Sequence, residues 1–196
     1  MIFMNTLRSI ALTLTVATLS VAAHAQVSSW KIDSAHSGIE FKIRHLGVSN
    51  VRGSFSKVTG TVMLDEKVLT KSSVDATIDA NTMSTNNEGR DKHLKSPDFF
   101  NLEKFPTLTF KSTSLTQAGG KLMLTGDLTL AGVTKPITLT LDGPAPAQKD
   151  AKGTIRSGFS ATGTLHRKDF DFGSKYSAPL LGDDVDFTID IEMDKQ

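Results

Sequence analysis

The residue types that could do chemistry are few, and their spacing is more informative than their number. Outside the first 25 residues the histidines are His36, His45, His93 and His166, and there is no cysteine anywhere. No two of these histidines lie three or four apart on a helix and none sits in a HExxH pattern, so no metal centre is read from them. Asp33, His36 and Ser37 spell an acid, a base and a hydroxyl in letters. Their order and spacing fit no strained nucleophile elbow, and Asp33-x-x-His36 suits a hydrogen-bonded loop better. Arg90 and His93 fall on one short polar segment beside a phenylalanine-rich loop, where they could hold the polar head of a ligand or simply be solvated. Arg44 and His45 are neighbours on a strand and must point opposite ways; parity turns His45 inward. A buried imidazole needs a hydrogen-bond partner, from the protein or from a ligand. No catalytic residue, metal ligand or cofactor site follows from this set, and the chain is not read as an enzyme.

These side chains must be positioned by a chain that begins with a removable leader. Arg8 gives a weakly basic start, Ile10 to Val21 is apolar apart from threonines and Ser20, and Ala23-His24-Ala25 has the small-x-small form of a cleavage site. The apolar run is shorter than the ~20 residues a bilayer crossing needs. Cleavage after Ala25 leaves residues 26–196 as one domain, exported and placed in the periplasm. Removing Arg8 from the 22 Lys and Arg leaves 21 against 21 Asp and Glu, a neutral chain. Neutrality argues against nucleic acid as a partner. Without cysteine, stability after export rests on packing alone.

The packing pattern is clearest in Lys121-Leu-Met-Leu-Thr-Gly-Asp-Leu-Thr-Leu130. Leu122, Leu124, Leu128 and Leu130 share one parity with Gly126; Met123, Thr125, Asp127 and Thr129 share the other. A period of two over this length predicts a strand with one dry face and one wet face. The same alternation predicts strands at Trp30–Asp33, Ser37–His45, Ser54–Leu64, Ser72–Ala80, Thr107–Leu115, a stretch marked by Ile137, Leu139 and Leu141, Ile155–Leu165, and Val185–Met193. Gly47–Gly53 and Ala131–Pro136 read as turns, and Gly143–Gly153 as a flexible loop. Asn86–Lys95 suits a short helix capped by Asn86 or Asn87 and stopped before Ser96-Pro97. Asp98–Pro106 is a loop with three phenylalanines that either plug one end of the core or line a pocket mouth.

Roughly eight sequential strands with no covering layer of helices predict an all-β fold. Closing the sheet into an antiparallel barrel removes both edges and buries the apolar face; a two-sheet sandwich satisfies the same pattern. Inward parity also collects small residues: Gly60, Ala76, Ala80, Ser112, Gly126, Ser157, Ala161 and Gly163. An empty void costs roughly 24 cal/mol per Å³, and apolar walls make water a poor filling. Two readings stand side by side: a hollow barrel holding a long apolar guest, and a solid one in which the small residues serve strand curvature.

Asp33-Ser-Ala-His-Ser37, Phe41-Lys-Ile-Arg-His-Leu-Gly47, Val51-Arg-Gly-Ser-Phe55, Arg90-Asp-Lys-His-Leu-Lys-Ser-Pro-Asp-Phe-Phe100, Lys104-Phe-Pro106 with Phe110, and Gly126–Pro136 together resemble the YceI-like family of small exported lipid-binding proteins. The resemblance spans nearly the whole chain after the leader. It implies an extended eight-stranded antiparallel β-barrel, lipocalin-like, with one short helix. It also implies an apolar interior holding a polyisoprenoid, an isoprenoid quinone or a fatty amphiphile. Carried onto this sequence, the resemblance puts His45, Arg90, His93, Phe99 and Phe100 where the pocket closes and Phe41, Phe110, Leu128 and Phe159 in its wall; Ile43, Phe55, Val62, Phe105, Ala161 and Phe170 complete the expected ligand-binding set. The chain departs from the family pattern in Ala131-Gly132, where a histidine usually precedes the glycine, and in the stretched Arg167–Gly173 element. A carrier of this kind would touch membranes transiently, as a monomer or a homodimer. The rival readings are an outer-membrane barrel, an enzyme acting on a lipid inside the barrel, and a partner-binding barrel with no ligand.

Overall fold

Alternation does what it predicts in the central segment. Strand β7 (Lys121–Leu130) buries Leu122, Leu124, Gly126, Leu128 and Leu130 and leaves Asp127 exposed. The computed structural model describes residues 27–196; the expected leader and the expected cleavage after Ala25 lie outside the described residues. β7 pairs antiparallel with β6 (Thr107–Ala118) on one side and β8 (Val133–Asp142) on the other. Beyond β6 lie β5 (Ser73–Asp79), β4 (Val58–Asp65) and β1 (Val27–Ile32). Beyond β8 lies β10 (Ile155–His166), flanked by the two-residue β9 (Gln148–Lys149). β11 (Leu181–Lys195) pairs with both β10 and β1, and the sheet closes into a ring.

The remaining strands show why the ring counts as eight walls. β2 (Gly38–His45) follows β1 along the same edge of β11: Ile32 faces Met193 and Gly38 faces Asp190. β3 (Ser49–Phe55) lies on β2 as β4 lies on β1. Each pair is one long wall broken in the middle, at Asp33–Ser37 and at Ser56–Lys57. The described residues therefore form a closed eight-stranded antiparallel barrel with one short α-helix, α1 (Glu88–Leu94). The helix starts where the side chain of Asn87 accepts a hydrogen bond from the Arg90 amide at 2.9 Å, as an N-cap should.

Two predicted turns are strands. Ser49–Phe55 forms β3, although serine, asparagine and glycine are poor strand formers, because β2 pairs with it residue for residue. Val133–Pro136 begins β8. Proline is tolerated there because β8 meets β10 only at Thr140–Asp142, so Pro136 lies where the β10 side is unpaired. The turn itself is only Ala131-Gly132. In β6 the inward parity shifts between Ser112 and Ser114, where a bulge brings Leu115 into the core.

Candidate functional site

The barrel is solid at one end and hollow at the other. At the end holding the β6–β7 turn, Trp30 and Met193 are fully buried with Leu64, Leu115 and Leu122 packed around them. The Trp30 indole N–H donates to Ser28 Oγ at 2.7 Å, so its one polar atom is satisfied. Only a cavity of about 40 Å³ remains there, touched by Val62, Leu64, Leu122 and Met193. Val74, Leu124 and Phe159 border this remnant and the larger space above it, and so form a floor.

Above the floor lies a cavity of about 370 Å³, within the ~300–1,000 Å³ of small-molecule sites. Its walls come from inward residues of every element of the ring, including Ile39, Ala76, Phe110, Leu128, Ile137, Ala161, Phe187 and Ile189. The small inward residues contribute less than parity suggests: only Ala76 and Ala161 among them border the cavity. A side chain on Gly126 would meet the ring of Phe110 at 2.4 Å, and one on Gly163 the ring of Phe187 at 2.6 Å. These glycines seat phenyl rings from the neighbouring strand. Ser112 is occupied differently, its hydroxyl accepting the Val74 amide at 2.8 Å.

Polar groups reach the cavity only at its mouth. They are His45, Arg90, His93, Arg167 and Tyr176; among the described residues no carboxylate, serine or threonine borders the space. Arg90 is held by Thr85, donating from Nε to the hydroxyl at 2.7 Å and from Nη2 to the carbonyl at 2.8 Å. His93 Nε2 lies 3.2 Å from the Tyr176 hydroxyl and 3.3 Å from Asp98 Oδ2. Phe99 stacks on Tyr176 with ring centroids 5.3 Å apart, and Lys175 donates to Asp98 at 2.5 Å. Bonds from Lys175 and then His93 hold the Asp98 carboxyl below its usual range, and Asp98 in turn raises Lys175. The segment around Phe99 and the segment around Tyr176 are thereby clasped across the opening.

Arg167 organises the second half of that clasp. It is fully buried, and its guanidinium donates to the carbonyls of Gly182, Phe172, Gly173, Leu181 and Tyr176 and to Asp183 Oδ1. One buried cation thus satisfies the irregular chain between β10 and β11. Neither its role nor that of Tyr176 is evident from residue type alone. A clue exists: Arg167 continues the inward parity of Ile155 through Leu165.

Of the expected ligand-binding set, Phe41, Ile43, His45, Phe55, Arg90, His93, Phe99, Phe100, Phe110, Leu128, Phe159 and Ala161 all border the cavity. Three do not. Val62 has the right parity but lies below the floor, in the packed end. Phe105 packs against Gly132, where a side chain would meet its ring at 2.6 Å. Phe170 is buried in the core, on the turn of 3-10 helix that follows β10. Asp33, His36 and Ser37 stand away from the cavity. His36 Nδ1 lies 2.7 Å from Asp33 Oδ2, and Arg156 donates to Glu192 at 2.6 Å in the same surface network. The Asp33 bond raises His36 above the ordinary histidine range and holds Asp33 below the ordinary carboxylate range.

Fold and cavity together define a barrel of the lipocalin-like kind, closed at the bottom, apolar within and polar only at its mouth. The family is equally clear. Residues 30–193 match the model of the YceI-like domain, and the chain belongs to that family. It is 41% identical over 182 residues to Protein YceI of Escherichia coli O157:H7, covering 91% of this chain and 94% of that one. A UPF0312 protein of Photorhabdus laumondii is 40% identical over 173 residues, 87% of this chain and 88% of the relative. Among solved structures, the Campylobacter jejuni YceI protein superposes with a TM-score of 0.69 at 32% identity, covering 93% of this chain and 99% of that one. A polyisoprenoid binding domain from Saccharophagus degradans shares the fold at a TM-score of 0.63 and 12% identity, over 86% of this chain and 99% of that one.

Proposed function

We propose that the protein is an exported, periplasmic carrier that holds one long-chain amphiphile, a polyisoprenoid or an isoprenoid quinone, inside the barrel. The observation that carries this reading is the segregation of the cavity lining. Its polar groups cluster at the mouth around Arg90, His93 and Tyr176, and everything from there to Leu124 and Phe159 is apolar. A molecule matching that gradient has a polar head and a long apolar tail. Each buried methylene gains about 0.8 kcal/mol before ordering costs, so a tail reaching the floor gives a tight complex with few directional contacts. The Saccharophagus degradans domain, described as polyisoprenoid binding, supports this class of guest through its shared fold. Among the described residues the cavity offers no carboxylate and no hydroxyl other than Tyr176, and its two imidazoles, His45 and His93, stand with the polar groups of the mouth, which favours binding over chemistry on the guest. Ala23-His24-Ala25 supports export.

The test is native mass spectrometry of the purified protein followed by solvent extraction. One long-chain amphiphile near unit stoichiometry is the expected result. A barrel that is empty on isolation and takes up no added prenyl alcohol or quinone overturns the proposal.

A further inference from the structure

A carrier of lipid must meet the bilayer, and one turn beside the cavity mouth exposes two large apolar side chains together, Leu46 and Val48. Between β2 and β3 the chain reverses through Leu46 and Gly47, both with positive φ, 53° and 69°. They are the central residues of a turn closed by the Val48 amide on the His45 carbonyl at 3.0 Å, inside a three-residue connection; two successive left-handed residues favour asparagine followed by glycine, because side chains rarely adopt that conformation without strain. Here the first position is leucine, and it is half exposed; Val48 beside it is 80% exposed. The left-handed leucine is not repaid by packing, so the local rule is broken without a gain inside the fold.

The charge around the turn is one-sided. From Phe41 to Phe55 there are Lys42, Arg44 and Arg52 and no acidic residue. The acids of the adjoining β11 are already engaged: Asp183 by Arg167 and Lys168, Asp184 by His166, and Asp186 by Lys42. Arg44 and Arg52 make no salt bridge among the described residues. The turn also sits at the opening. His45 borders the cavity, and the Leu46 amide donates at 3.1 Å to the carbonyl of Leu180, another cavity residue that is 44% exposed.

We propose that this turn, together with Leu180, docks on a bilayer surface bearing anionic headgroups and brings the cavity mouth to the lipid. The inference rests on the carrier reading and adds the surface through which it is loaded. Leu46 and Val48 enter the interfacial region while Arg44 and Arg52 stay at headgroup level, a division of labour that interfacial segments use.

Vesicle flotation tests it, with phosphatidylcholine vesicles and with phosphatidylcholine–phosphatidylglycerol mixtures. The protein should float with the anionic vesicles, less so as salt rises, and not with the neutral ones. Leu46→Asn combined with Val48→Ser should weaken that partition by about tenfold. Asparagine suits the turn better than leucine, so the variant should keep its melting temperature, and its cavity is untouched. Extraction of guest from both preparations separates the two proposals. Guest present without vesicle binding, or equal flotation of variant and parent, overturns docking and leaves the carrier reading intact. A concentration-dependent dimer that the variant abolishes, with no flotation, also overturns it by assigning the turn to a second copy. Vesicle binding by a barrel that never holds a guest ends the carrier reading instead.

Discussion

The two ends of the barrel are built from the same alternating strands and differ in what fills them. At the closed end, Trp30, Met193, Leu115 and Leu122 are buried in one core cluster beside a cavity of about 40 Å³. At the open end the same inward positions border about 370 Å³, and irregular segments clasped by Phe99, Tyr176, Asp98 and Lys175 cover them. The difference teaches that one half of the molecule supplies stability and the other spends it on capacity, since every inward residue at the open end forgoes contacts it could have made.

The largest effect that tests this division comes from truncating the closed end. Trp30→Ala should cost about 3–5 kcal/mol, the range for large core aromatics, measured by urea unfolding. Tyr176→Ala at the other end should cost about 0.5–1.5 kcal/mol for the lost ring pair, yet release bound guest faster in a stopped-flow exchange assay. Similar losses of stability from the two would break the comparison.

Overfilling gives a smaller and more discriminating pair. Leu122→Phe, beside the remnant cavity, should destabilise by about 1–3 kcal/mol without changing the amount of guest bound. Ala161→Trp points into the large cavity, so it should change stability by less than about 1 kcal/mol and abolish uptake of a long chain. A strongly destabilised Ala161→Trp would mean the open end is as tightly filled as the other.

Much of this was legible in the alternation, which assigns each residue to the inside or the outside. It does not say how far along the axis a residue lies. Val62 has the parity of a wall residue and sits below the floor for that reason. Phe105 and Phe170 lie outside regular strands, where no period exists to place them. β3 escaped because its pairing partner, not its own composition, makes it a strand. Arg167 was in phase with its strand, but a cation at an inward position has meaning only once the carbonyls of the β10–β11 connection are folded around it. The cluster of Arg90, His93 and the phenylalanine loop was legible because α1 and its cap are local features.

The smallest effect concerns pH and belongs to the surface of the wall rather than to either end. The bond to Asp33 raises His36, so its contribution to stability is complete below the ordinary histidine value of about 6.5 and is lost as pH rises through the raised value. Asp33 is lowered, chiefly by the same bond, so its contribution is complete above about 3.9 and is lost as pH falls through the lowered value. Thermal midpoints should therefore decline on both sides of a mildly acidic plateau, and His36→Asn should remove the alkaline decline. An unchanged alkaline limb would place that decline elsewhere.

β11 follows every other described strand in the chain, and it is the one that joins β10 to β1 and β2. A chain synthesised from its N-terminus has every other described wall available before these fifteen residues arrive, yet until then it is an open ribbon from β1 to β10 with the β2–β3 hairpin unjoined to it by any strand pairing. The compartment has no existence before that final stitch. A chain cut short before Leu181 would lose both its interior and the protection of its edges at once.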